Sequence, residues 1–97
     1  MVSTHLYILR CGELVKIGIT NDINKRIASL QTGNPEPIIL EYIEERYNPR
    51  KAEFWLHNQF SAHRVSGEWF KNLTVEQIRS RLFMFHEQDP EPGIRNG

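Results

Sequence analysis

Residues 5–18, HLYILRCGELVKIG, constrain the fold more than any other stretch of the chain. Two apolar-rich runs, 5–10 and 14–20, are separated by Cys11-Gly12, and a glycine between strand-like runs predicts an antiparallel hairpin. A loop centred on Cys11-Gly12 sets Arg10 opposite Glu13, Leu9 opposite Leu14 and Tyr7 opposite Lys16. Directly opposed side chains lie within contact reach, so the hairpin by itself sets a phenol beside an ammonium group. That pair fits plain packing, with the lysine stem covering the ring, as well as it fits chemistry. On the second strand Val15, Ile17 and Ile19 share the core face, while Leu14, Lys16 and Gly18 share a mixed face with His5 and Tyr7. Gly18 leaves room above the strand for a ligand or another backbone.

After the hairpin, Thr20-Asn21-Asp22 supply helix N-cap residue types. Ile23, Ile27 and Leu30 recur at helical spacing and are expected to dock on the sheet, with Gly33 and Pro35 ending the helix. Arg26 borders that stripe, either as a snorkelling surface arginine or as a group aimed at the Tyr7–Lys16 face. The segment 37–45, PIILEYIEE, alternates as a third strand that pairs with the hairpin. Asn48-Pro49 marks a second helix start, with the helix running over about 50–61. Ala52, Trp55, Leu56 and Phe60 form its apolar face, and Glu53 and His57 sit one turn apart at its border. Glu53 fits a solvated or ion-paired residue as well as a metal ligand; with His57 it makes only two donors, a weak metal signal without a third. Residues 63–72, HRVSGEWFKN, read as a short extended piece whose Trp69 and Phe70 close the core, although both rings could stack on bases. Thr74 and Gln77 spell a capping box for a last helix with Val75, Ile78, Leu82 and Phe85 on one face. The order is β-β-α-β-α, a closing segment and a C-terminal helix. It predicts an α+β fold with a small antiparallel three-stranded sheet flanked by helices, one domain over 1–86 and a disordered acidic tail over 87–97.

Composition narrows the function classes. With 97 residues, 39% of them apolar, the chain can build one modest core and not two. No apolar run approaches a membrane span and no secretory leader pattern opens the chain, so a cytoplasmic protein with no membrane partner is expected. The single cysteine, Cys11, reads as a turn residue at the hairpin tip. A formal net charge of zero argues against strong sequence-independent binding to nucleic acid.

Tyr7, Lys16, Arg26 and Glu53 lie on four different elements and can point at one sheet face. A phenol, an ammonium, a guanidinium and a carboxylate suit phosphodiester cleavage. A hard divalent cation takes a carboxylate and keeps several waters, a guanidinium stabilises charge developing on phosphoryl oxygens, and a nearby cation favours a phenolate.

The blocks LYIL at 6–9, VKIGIT at 15–20, KRIASLQTGNP at 25–35, AEFWLHNQF at 52–60 and GEWF at 67–70 together resemble the GIY-YIG nuclease superfamily. They look most like its small phage and bacterial DNA-binding-domain branch, here with Lys16-Ile17-Gly18 in place of the second signature triplet. His5-Leu6-Tyr7 keeps only the tyrosine of the first. The resemblance implies a metal-dependent DNA endonuclease or nickase using Mg²⁺ or Mn²⁺, in a bacterial cell or a phage-infected host. In it Glu53 holds the metal and Tyr7 acts as general base. Lys16 lowers the Tyr7 pKa or takes its proton, Arg26 holds the scissile phosphate, and His57 is an accessory group. Lys25, Arg50 and Arg64 complete the expected contacts to nucleic acid. A domain of this size implies a homodimer or a DNA-targeting partner protein for specificity. The competing reading is a non-cleaving DNA-binding or regulatory module that uses the same face.

Overall fold

A computed structural model of the chain describes residues 4–85. The order of elements is β1 (His5–Cys11), β2 (Leu14–Thr20), α1 (Ile23–Gln31), β3 (Ile38–Glu45), α2 (Pro49–Gln59), a 3₁₀ turn (Ser61–His63), β4 (Arg64–Ser66), β5 (Trp69–Lys71) and α3 (Val75–Phe83). The fold is α+β with a small antiparallel sheet and flanking helices. The three strands expected are present, and β4 and β5 extend the sheet to five in the order β3-β1-β2-β5-β4. The expected domain boundary at 86 and the tail 87–97 lie outside the described residues.

The hairpin register differs from the expected one by two residues. Tyr7 faces Gly18, Leu9 faces Lys16 and Cys11 faces Leu14, so Tyr7 and Lys16 are not directly opposed, and neither are Arg10 and Glu13 nor Leu9 and Leu14. The loop is Gly12-Glu13, with Gly12 at φ 61. A two-residue hairpin loop whose first central residue needs positive φ selects glycine there, which makes Cys11 the last residue of β1 rather than a residue of the tip. A shift of two preserves strand parity, so the assignment of faces survives. Leu6, Ile8, Val15 and Ile17 pack with Ala52, Leu56, Phe60, Phe70, Leu73, Ile78, Leu82 and Phe85 in the core. The opposite face carries Tyr7, Leu9, Lys16 and Gly18, also buried. β3 pairs with β1 as expected, with an irregularity between Ile8 and Leu9 beside which Glu41 accepts from Arg10 Nε at 2.6 Å.

The helix starts follow local chemistry. Asp22 caps α1 by accepting from the Lys25 backbone N–H. Asn48 caps α2 with Pro49 in its first turn, and Thr74 with Gln77 forms a complete capping box on α3. α1 docks less firmly than its apolar spacing suggests: Ile23, Ile27 and Leu30 are only half-buried, and none of its residues is buried. Gln31 ties its end to β3 by accepting from the Ile38 N–H at 2.9 Å.

Candidate active site

β5 pairs with β2 only from Leu14 to Lys16. Beyond that point the β2 edge is open to the β4–β5 turn and to α2. The Ile17 N–H donates to the Glu68 carbonyl at 3.2 Å, and His57 Nε2 reaches the Ile17 carbonyl at 2.9 Å. The β4–β5 turn and α2 therefore meet at the open β2 edge beside Ile17 and Gly18.

Gly18 is the floor of this meeting point. A Cβ there would lie 2.5 Å from Tyr7 Oη, 2.7 Å from Tyr7 Cζ and 2.8 Å from Glu68 Oε1. The room above the strand is thus filled from within the chain, by the phenol folded across its glycine partner and by a carboxylate. Tyr7 is fully buried, yet its Oη has no hydrogen-bond partner among the described residues, and the same holds for Glu53 Oε2 and His5 Nδ1. Buried polar atoms are normally satisfied, so bare oxygens converging on one place mark a site built for something else to enter.

Lys16 Nζ pairs with Glu68 Oε1 at 3.1 Å and lies 5.1 Å from the centroid of the Trp69 ring. Trp69 therefore serves the site while Phe70 is in the core, so the two rings expected to close the core divide their roles. Burial pushes the Tyr7 phenol up to about 12, with Glu68 and Glu53 adding to the rise and Arg26 opposing it. Lys16 is not among the charges acting on the Tyr7 phenol in the free protein: its ammonium pairs with Glu68, and desolvation of the phenolate outweighs the nearby guanidinium. Burial and then the adjacent Glu68 carboxylate push Glu53 from 4.5 up to about 7, against the pull of Arg50 and Lys16. Two carboxyl groups in contact resist ionising together, so without a cation they favour holding a proton.

Of the residues singled out from the sequence, Arg26 and Glu53 act on Tyr7, and Lys16 acts on Glu53. Arg50 acts on Glu53. Arg64 Nη2 bonds His57 Nδ1 at 3.0 Å. A guanidinium only donates, so Nδ1 accepts, Nε2 carries the ring proton and donates it to Ile17, and both nitrogens of His57 are engaged. Burial lowers the His57 pKa. Lys25 is exposed on α1 and is not among the charges acting on Tyr7 or Glu53. Asn58, beside His57 on α2, donates to the Phe54 carbonyl of its own helix, and Asn72, after β5, has φ 58.

Sequence reasoning missed Glu68. The available signal was an acid directly after a turn glycine and before two large aromatics; Gly67, at φ 56, makes the turn that delivers it. Among the described residues no group of three or more His, Cys, Asp or Glu is placed to hold a metal. A hard cation that keeps most of its waters needs only one or two carboxylates. The bare, buried Glu53 oxygen beside Glu68 fits such an ion.

The chain matches the family model of the T5orf172 domain over residues 4–85. It belongs to that family, a GIY-YIG-like nuclease domain. Searches of curated proteins and of solved structures found no match. Among the described residues no helix is long and apolar enough to cross a membrane.

Proposed function

We propose that the chain is a metal-dependent DNA endonuclease or nickase that hydrolyses phosphodiester bonds at Tyr7, Lys16, Arg26 and Glu53. The observation that carries this reading is the meeting of the unpartnered Tyr7 Oη and the Glu68 carboxylate over Gly18, with Lys16 and Glu53 each in contact with Glu68. Glu53 would hold Mg²⁺ or Mn²⁺, which when bound would supply Lewis-acid stabilisation of phosphoryl charge and of the leaving oxygen.

Arg26 holds the scissile phosphate and faces the charge that builds on its oxygens. Tyr7 Oη acts as the phenolate: once its own proton is lost to solvent, it takes the proton of the attacking water as the water oxygen bonds to phosphorus and the ester oxygen departs with the bonding pair. The phenol is neutral in the free protein because burial and two carboxylates raise it. Neutralising those carboxylates removes the two electrostatic causes of the rise; burial, the largest, remains, with the Arg26 charge opposing it. Lys16 keeps Glu68 in place and lends its charge to Glu53. His57 acts by positioning: its bond to the Ile17 carbonyl fixes the strand that carries Lys16 and Gly18. Arg50 and Arg64, with exposed Lys25, supply basic groups for the flanking backbone. So small a domain calls for a second copy or a targeting partner protein to confer sequence specificity.

The test is supercoiled plasmid incubated with Mn²⁺, Mg²⁺ or EDTA, for wild type, Glu53→Ala and Tyr7→Phe. Nicking that requires metal and is lost in both folded variants is the expected result. DNA retention that is equal for all three proteins, without cutting, replaces the nuclease with a binding module. Activity that survives Glu53→Ala refutes the site.

A further inference from the structure

Glu68 lies in the β4–β5 turn, between Ser66 and Trp69. Gly67, at φ 56, lets the β4–β5 turn fold tightly, and the Ile17 N–H fixes the Glu68 carbonyl at 3.2 Å. The side chain is thereby brought over Gly18, with Oε1 2.8 Å from the point a Cβ would occupy. Tyr7 Oη lies 2.5 Å from that same point, fully buried and without a hydrogen-bond partner among the described residues. Glu53, from α2, packs against Glu68 with its own Oε2 bare. Three oxygen-bearing groups from three elements thus converge, and the one ammonium directly paired there, Lys16 at 3.1 Å, contacts Glu68 and not Glu53. An ion pair explains the Lys16–Glu68 contact, and a proton shared in a hydrogen bond explains the Glu53–Glu68 contact in the free protein; neither satisfies the bare Glu53 Oε2 or Tyr7 Oη.

We propose that Glu68 is a second carboxylate ligand of the divalent cation at Glu53, held in position by Lys16. This rests on the metal-dependent reading above. Two carboxylates without a third His, Cys or acid among the described residues select a hard, water-retaining ion over zinc, whose sites use three or four protein ligands rich in nitrogen and sulfur. The second carboxylate also neutralises more of the ion's charge beside Lys16, which lets the ammonium remain in place.

The experiment is Mn²⁺ titration by calorimetry of the full chain without DNA, for wild type, Glu53→Gln and Glu68→Gln, with melting curves in EDTA to establish folding. Both variants are expected to lose on the order of tenfold or more in Mn²⁺ affinity. A Glu68→Gln protein that binds Mn²⁺ like wild type, while Glu53→Gln does not, overturns the role of Glu68 and leaves the metal site standing. Failure of the wild type itself to bind Mn²⁺ or Mg²⁺ overturns the metal-dependent reading and this inference with it. Should Glu68→Gln fail to fold, carbon NMR of the wild-type glutamate carboxylates during Mg²⁺ titration decides the matter. The Glu53 and Glu68 signals are expected to move together, and movement of Glu53 alone refutes the proposal.

Discussion

Replacing Gly18 by alanine tests the geometry of the site without reference to any ligand. Gly18 has an ordinary strand conformation and is not among the glycines with positive φ. With open space above it, alanine would therefore stabilise the protein by about 0.4–1 kcal/mol through the unfolded chain. The space is not open. The new Cβ meets Tyr7 Oη at 2.5 Å and Tyr7 Cζ at 2.7 Å, and the tyrosine is a rigid ring with no exposed surface. Glu68, at 2.8 Å, can swing aside more easily than the ring can. Overpacking of this kind costs about 1–3 kcal/mol, so a net loss of about 1–2 kcal/mol is expected. In a domain of this size that lowers the melting temperature by roughly 4–16 °C. Thermal denaturation in EDTA reads it directly. The Tyr7→Ala and Gly18→Ala double variant should show strong non-additivity, because removing the ring removes the clash. A neutral or stabilising Gly18→Ala would refute the placement of the phenol across Gly18, and with it the site built on that placement.

Glu53 binds its proton more tightly folded than unfolded, so in EDTA stability should fall as pH rises from about 4.5 through about 7. The full shift corresponds to about 3 kcal/mol, and half-exposure of the group reduces this to about 1–2 kcal/mol; Glu53→Gln should flatten the profile in a pH series of melts. His57 is held neutral, so its contribution should be present above about 6.5 and lost as pH falls through its lowered folded value. Arg64→Ala, which removes a charge opposing protonation, should raise the His57 pKa in a proton NMR titration. Arg26→Ala should cut metal-dependent plasmid nicking by on the order of a hundredfold while the protein stays folded. Thr74→Ala breaks the capping box of α3 and should cost about 1 kcal/mol in denaturant melts.

The amino-acid sequence by itself determined what depends on near neighbours in the chain. Asp22, Asn48-Pro49 and Thr74–Gln77 cap their helices as read because a cap is made within three or four residues. The partition of the hairpin into faces was also legible, since alternation survives a register shift of two. The register itself was not, because it turned on which residue of Cys11-Gly12-Glu13 opens the loop, and the positive φ of Gly12 decided it. β4 and β5, three residues each, are too short for a periodic pattern and exist only by pairing beside β2. Tertiary structure alone decided the chemistry of the site. The register read from the hairpin places Lys16 opposite Tyr7, where a cation favours the phenolate; burial, a property of the packed molecule, raises the phenol to about 12. Glu68 is distant in sequence from both Lys16 and Glu53, and it meets them only because β5 stops at Lys16 and leaves the edge of β2 open at Gly18.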